Sequence, residues 1–381
     1  MHGVLIGSAF LASIDIGGKR TDKENCALIV QDYKVIPGYK AYIIVSRELD
    51  EYAANLSSYC PDSSILYAVN DMEELHDYDV IEVNQNGRAQ VVYRDLSGDN
   101  VLFITNKCNS NCIMCPDSDT ARKKELPTRT DYILKLIDLI PEDTHHLTIT
   151  GGEPTLLKWD LLKILSECKE KFHHTDFLML SNGRTLCVKE YRDAFLESVP
   201  LRFQLAVPLY GDSSYTHDAI TRSPGGFVQT ISALKYLQNY INVEIRIVIM
   251  RQTYSELPKI ADYIVKNLPN IKKVSLMGIE LLGNAALRRN ELWIDYTETV
   301  TYLENSINTL ISSGIEAQIY NYPLCNLPRN LWGLAVRSIT DYKVRYKDEC
   351  SKCSMKDICG GFFFSTLHFE NIKVYPVPED N

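Results

Sequence analysis

Apolar positions follow two rhythms along the chain, and the change falls near residue 96. In the first stretch they alternate with the period of a half-buried strand, as in Ala41-Tyr-Ile-Ile-Val45, Val80-Ile-Glu-Val83 and Ala89-Gln-Val-Val-Tyr93. Asn84-Gln-Asn-Gly87 between the last two reads as a hairpin turn. Glu48–Leu56 carries helical spacing and predicts one helix. From about residue 97 short apolar runs alternate with amphipathic stretches. The runs predict strands at 101–105, 146–150, 176–180, 202–207, 243–249 and 274–277; the stretches predict helices at 131–140, 157–171, 189–198, 227–240 and 255–267. Alternation of this kind implies parallel strands with helices packed outside, as a barrel or an open α/β sheet. The expected organisation is a β-rich domain over 1–95, an α/β core over 96–285 and an extension over 286–381.

In such folds the loops at the carboxyl ends of the strands share one face, and the polar motifs fall there. Cys108-Asn-Ser-Asn-Cys112-Ile-Met-Cys115 follows the first strand of the core, Gly151-Gly-Glu-Pro154 the second, Ser181-Asn-Gly183 the third and Tyr210-Gly211 the fourth. Three thiols in one short loop suit three irons of a four-iron cluster and leave the fourth iron open, whereas zinc loops usually carry C-x2-C pairs closed by two more ligands. Gly151 and Gly152 let backbone approach a ligand closely, and the Glu153 carboxylate suits an ammonium group; an ordinary strand-to-helix turn is the plainer reading of that motif alone. Tyr210 and His217 are candidates to move a proton or a hydrogen atom, with packing the plainer role for each.

A second group, Cys350-Ser-Lys-Cys353, Cys359 and Cys325 upstream, supplies four thiols for a closed metal site. A four-cysteine zinc competes with an iron–sulfur cluster there. Cys26, Cys60, Cys168 and Cys187 stand apart and read as packed thiols.

Composition narrows the class. The 381 residues are 45% hydrophobic, enough for a large core without disulfides. The formal net charge of -9 disfavours a nucleic acid as habitual partner. No apolar run reaches membrane-spanning length, and the opening Met1-His-Gly-Val-Leu-Ile-Gly7 does not read as a secretory signal. With eleven cysteines, the expected location is the reducing cytoplasm.

The cysteine loop followed by GGE at the end of the next strand resembles the radical S-adenosylmethionine (radical-SAM) superfamily. The resemblance implies a partial (β/α)6 barrel, a [4Fe-4S] cluster on Cys108, Cys112 and Cys115, and SAM chelated at the open iron. Gly151, Gly152 and Glu153 would then meet its methionyl amine, and Ser181, Asn182 and Arg246 its ribose and carboxylate. Met114 stands where the family usually has an aromatic residue. The C-x2-C-x5-C run resembles the auxiliary-cluster regions, SPASM and twitch, of peptide-modifying members, which implies one auxiliary [4Fe-4S] cluster. More narrowly, Ile149–Leu157, His217–Phe227, Val274–Glu280, Ile319–Cys325 and Cys359–Phe363 resemble the C-type maturase of the His-Xaa-Ser system. That likeness implies reductive cleavage of SAM to a 5'-deoxyadenosyl radical, and modification of a small ribosomally made precursor peptide with His-Xaa-Ser repeats. A paired radical-SAM maturase and a reductant such as flavodoxin or ferredoxin would be the partners. The alternatives are a radical-SAM enzyme acting on another protein or small-molecule substrate, and a non-catalytic iron–sulfur or zinc binding protein.

Overall fold

Residues 1–33, 36–71, 73–117, 130–337 and 343–378 are described by a computed structural model. Their contacts group into two units, one drawn from 1–102, 129–147 and 167–175, the other from 103–128, 148–166 and 176–381.

The early alternation becomes seven strands, β1 (His2–Ile6), β2 (Phe10–Asp15), β3 (Cys26–Val30), β4 (Ala41–Ile44), β5 (Ser64–Asn70), β6 (Val80–Val83) and β7 (Ala89–Tyr93), in the order β1-β5-β4-β3-β2-β6-β7. The central strands β2, β3, β4 and β5 pair in parallel, and the outer pairings are antiparallel. The expected hairpin joins β6 to β7: Asn84 Oδ1 accepts the Asn86 and Arg88 N–H groups, and Gly87 turns the chain at φ +73°. The Gly3 N–H donates to Gly87 O and the Ala89 N–H to Met1 O, so the first and last strands meet and the sheet closes on itself. Side-chain alternation gives it two apolar faces. Ala12, Ile14, Ala27, Ile29, Ile43 and Ile81 line one. Leu28, Tyr42, Ile44 and Ile65 line the other, beneath Leu49, Ala53 and Leu56. The single helix expected over 48–56 is two pieces, a 3-10 stretch at Arg47–Tyr52 and α1 (Ala53–Tyr59). Leu49 and Tyr52 stand three residues apart and both pack on the second face, which is the spacing of a 3-10 turn.

The later rhythm produces β8 (Asn100–Thr105), α2 (Thr130–Leu139), β9 (His146–Gly151), α3 (Trp159–Lys171), β10 (Asp176–Leu180), α4 (Lys189–Ser198), β11 (Phe203–Pro208), α5 (Ser214–Thr221), α6 (Gly226–Leu237), β12 (Asn242–Ile249), α7 (Leu257–Asn267) and β13 (Lys273–Gly278). After a short helix, α8 (Gly283–Leu287), come α9 (Tyr296–Ser312), β14 (Glu316–Tyr320) and β15 (Ala335–Val336). The eight strands lie in sequence order, and the pairings from β10 to β15 are parallel, which makes a curled open α/β sheet. Along β12, Val243, Ile245, Ile247 and Ile249 are buried on one face, while Arg246 and Val248 are half-buried on the other. The stretch expected as one helix over 157–171 is interrupted at Lys158, whose φ of +52° ends a 3-10 turn at Pro154–Leu157 before α3 begins. The final segment holds a two-stranded ladder, β16 (Val344–Arg345) with β17 (Phe362–Phe363), and α10 (Phe364–Phe369).

Candidate functional site

The cysteine loop leaves β8 and is braced from three directions. On one side the Gly152 N–H donates to Thr105 O and the Glu153 N–H to Lys107 O, both at 2.7 Å. A Cβ on Gly151 would stand 2.2 Å from Thr105 O, and one on Gly152 2.4 Å from Lys107 O, so neither position tolerates a side chain. Close approach here is to the chain's own backbone. On a second side the Asn111 and Ile113 N–H groups donate to Thr221 O and Ile220 O. These are terminal carbonyls of α5, which have no partner inside their helix. On the third, the Asn284 N–H donates to Cys115 O at 2.9 Å and its side-chain amide to Cys112 O at 3.3 Å. Gly283 sits at φ +53° with no room for a Cβ beside Pro116 O. Nothing in the sequence pattern singled out Gly283 or Asn284, and the end of α5 entered only within the His217–Phe227 likeness.

Beside the loop, Glu153 is 1% exposed and its carboxylate is filled by protein donors. Oε1 accepts from the Thr155 N–H (3.0 Å), the Thr155 hydroxyl (2.6 Å) and the Ser181 hydroxyl (2.7 Å); Oε2 accepts from the Asn182 N–H (2.6 Å). The second and third motifs are therefore one network, with Glu153 at its centre. The Asn182 side chain donates to Asn109 Oδ1 at 2.7 Å, which ties that network to the cysteine loop. Arg184, one residue past Ser181-Asn-Gly183 and not singled out from sequence, donates to Asn109 O and Ser110 Oγ. Arg246 on β12 is held at 2.8 Å by Glu244, which also accepts from Gln204. The Arg246 guanidinium is thus already paired within its own strand.

Tyr210 lies with Met114, Cys112, Met250 and Ile279 in one apolar cluster. Burial, aided by the Cys112 and Cys115 thiols, pushes its phenol far up, so it stays protonated. His217 is 2% exposed, stacked on Tyr210 and edge-on to Phe227. Its Nδ1 accepts the Tyr210 N–H at 3.2 Å, which places the proton of the neutral ring on Nε2. Burial lowers its pKa to about 4. His217 is thus a packed, neutral imidazole, while Asp218 accepts the Gly225 and Phe227 N–H groups at the start of α6.

The second cysteine group converges. Cys325, Cys350, Cys353 and Cys359 line one small cavity, walled by Leu324, Met355, Phe362 and Val377 among others. Cys359 Sγ accepts the Leu324 and Gly361 N–H groups at 3.4 Å, and Cys353 Sγ the Val377 N–H at 3.3 Å. Burial pushes the Cys325 and Cys350 thiols up, and the neighbouring thiols add to it. Among the described residues no three His, Cys, Asp or Glu side chains meet at a single ion. The four cysteines share the wall of this cavity. Cys26, Cys60 and Cys168 are buried, and the Cys60 thiol lies 3.2 Å from the Tyr42 hydroxyl.

Residues 102–264, from β8 into α7, match the sequence model of the Radical SAM superfamily. This stretch is a radical SAM domain. The chain is 26% identical over 166 residues to the sporulation killing factor maturation protein SkfB of Bacillus subtilis, covering 43% of this chain and 38% of that one. It is 23% identical over 171 residues to the uncharacterized protein MJ0907 of Methanocaldococcus jannaschii, covering 43% and 56%. The match therefore spans about half or less of each relative. The crystal structure of SuiB from Streptococcus suis superposes with a TM-score of 0.46 at 16% identity, over 59% of this chain and 49% of that one.

A radical SAM enzyme works with a [4Fe-4S] cluster and SAM, and the donor sets described above fit such groups. Three thiols on one loop fixed by backbone hydrogen bonds are soft ligands of the kind iron takes. Four thiols around one small cavity, two of them accepting backbone N–H groups, suit an auxiliary cluster. No helix of the described residues is long and apolar enough to cross a membrane.

Proposed function

We propose that the chain is a radical-SAM maturase that modifies a small ribosomally made peptide carrying His-Xaa-Ser repeats, together with a paired radical-SAM maturase. The observation that carries this reading is the four-thiol cavity beyond the radical SAM domain, a feature that resembles the auxiliary centres of peptide-modifying members. SkfB, named as a maturation protein, supports the same class of substrate.

In this reading Cys108, Cys112 and Cys115 hold the SAM-binding cluster, and Cys325, Cys350, Cys353 and Cys359 hold the auxiliary one. When bound, cluster and SAM supply a 5'-deoxyadenosyl radical that abstracts hydrogen from the substrate. The protein's part is placement. Gly151 and Gly152 admit the cysteine loop against the turn that follows β9, and Glu153 locks the Ser181-Asn182 turn to it. With four protein donors on its carboxylate, Glu153 acts by holding the Ser181-Asn182 turn in place. Arg246, anchored by Glu244, presents a fixed cation from the sheet for a carboxylate. Tyr210 and His217 act by packing behind Cys112 and hold no mobile proton near neutral pH.

The test begins with anaerobic reconstitution, reduction and addition of SAM, followed by assay for 5'-deoxyadenosine. Mass spectrometry of a His-Xaa-Ser peptide co-expressed with both maturases then reads the modification. Formation of 5'-deoxyadenosine with an unmodified peptide moves the chain to another substrate, and no 5'-deoxyadenosine from an assembled cluster moves it to the non-catalytic class.

A further inference from the structure

The first unit contains a cleft of about 640 Å³ that the chemistry above leaves unused. Its size falls within the roughly 300–1,000 Å³ usual for ligand sites. Buried Phe10 and Val83 contribute to its wall from β2 and β6, and Tyr132 and Lys135 from α2; Lys40 enters from the residue before β4. Among the described residues neither Lys40 nor Lys135 has an ion-pair partner. Lys40 and Lys135 are both exposed and line the same space; partial burial and the Lys135 ammonium lower the pKa of Lys40. The one carboxylate in the lining, Glu82, accepts from the Gln90 amide at 3.0 Å and offsets one of the two cations, which leaves the lining with a net positive charge.

In a protein of formal net charge -9 this is a local positive concavity with an apolar floor. A phosphate or a single carboxylate would leave most of the volume empty. An extended segment fills it, with carboxylates meeting the two ammonium groups and apolar side chains meeting Phe10 and Tyr132. Exposed Gln85 and Asn86 at the rim offer amide groups to a peptide backbone.

We infer that the cleft lined by Lys40 and Lys135 docks an acidic peptide segment. The inference rests on the reading that the chain acts on a peptide, and it locates a binding determinant in the first unit, on residues distinct from the cysteine loop. Charge attraction of this kind sets encounter rate and partner choice, and it weakens with salt.

The experiment measures fluorescence anisotropy of a short labelled peptide of alternating glutamate and leucine with the full-length protein, without SAM. A glutamine-for-glutamate version is the comparison peptide. The glutamate peptide is expected to bind in a salt-dependent way and the glutamine version about tenfold or more weakly. A Lys40→Glu/Lys135→Glu double variant loses the same factor, and Lys40→Arg/Lys135→Arg keeps binding, which separates charge from misfolding. Equal binding of the two peptides, native affinity in the charge-reversed protein, or displacement of the peptide by stoichiometric inorganic phosphate overturns the proposal. The outcome is independent of the functional reading. A chain that binds the glutamate peptide but leaves a co-expressed precursor unchanged in mass refutes that reading and keeps the cleft; modification that survives charge reversal with no measurable docking does the opposite.

Discussion

Gly152 shows how much at this site is decided by single atoms. Placing a methyl group 2.4 Å from Lys107 O forces the cysteine loop to move. Gly152→Ala is expected to cost about 1–3 kcal/mol, as overpacking does, and to lower the iron retained after reconstitution. Gly98→Ala, with nothing within 4 Å of the added carbon, is the control, and thermal melting with iron analysis reads both. Glu153→Gln puts an amide NH2 among groups that are already donors. One or more donors then lose their acceptor, and the loss is about 1–3 kcal/mol in urea unfolding. His217 gives a pH signature. Its pKa falls from 6.5 to about 4 on folding, so the unfolded chain takes up a proton that the native chain refuses. This contribution is complete above about pH 6.5 and drains as pH falls toward 4, by up to about 3 kcal/mol. His217→Asn, which keeps an acceptor for the Tyr210 N–H, is expected to flatten the decline of melting temperature between pH 7 and 4.5. The type of residue at these positions was legible in the sequence, but the reason for it was not. Two glycines before a glutamate announce a tight approach without saying to what, and the answer, the carbonyls of residues 105 and 107, depends on a strand forty-odd residues earlier.

At the scale of elements, the βα rhythm of residues 101–277 was readable because each strand buries one full face and each helix one stripe. β14 was missed although Glu316-Ala-Gln-Ile-Tyr320 alternates, because five residues give the period little length to show, and Ala335–Val336 is shorter still. β2 and β3 escaped for a different reason: both faces of these central strands are buried, so Cys26–Val30 reads as an unbroken apolar run with no alternation. The three-sided brace of the cysteine loop depends on elements far apart in sequence, and no local pattern carries it. Asn284→Ala removes the side-chain bond to Cys112 O while leaving the backbone bond to Cys115 O. It is expected to cost about 1 kcal/mol and to speed loss of the cluster's visible absorbance in air, with secondary structure by circular dichroism unchanged.

For the whole molecule, the two thiol groups predict two separable metal contents. A chain with both clusters carries about eight irons and as many labile sulfides. Replacing Cys108, Cys112 and Cys115 by alanine halves that and abolishes SAM cleavage. Replacing Cys353 and Cys359 also halves it, while uncoupled SAM cleavage persists. Iron unchanged in the second variant, or zinc in the native protein, would reassign the auxiliary centre. That Cys325 joins Cys350, Cys353 and Cys359 was the least readable part of this arrangement from spacing. The cavity that unites them is finished by the chain folding back, with Val377 donating to Cys353 and accepting from Ser354.

That return of the chain has a consequence for biosynthesis. Polypeptides leave the ribosome amino end first, so the cysteines at 325–359 emerge before the residues that roof them over. The centre they form can be sealed only after Val374–Val377 have cleared the exit tunnel. A metal carrier that reaches the four thiols before residues 374–377 fold over them meets a more open site than one that arrives afterwards.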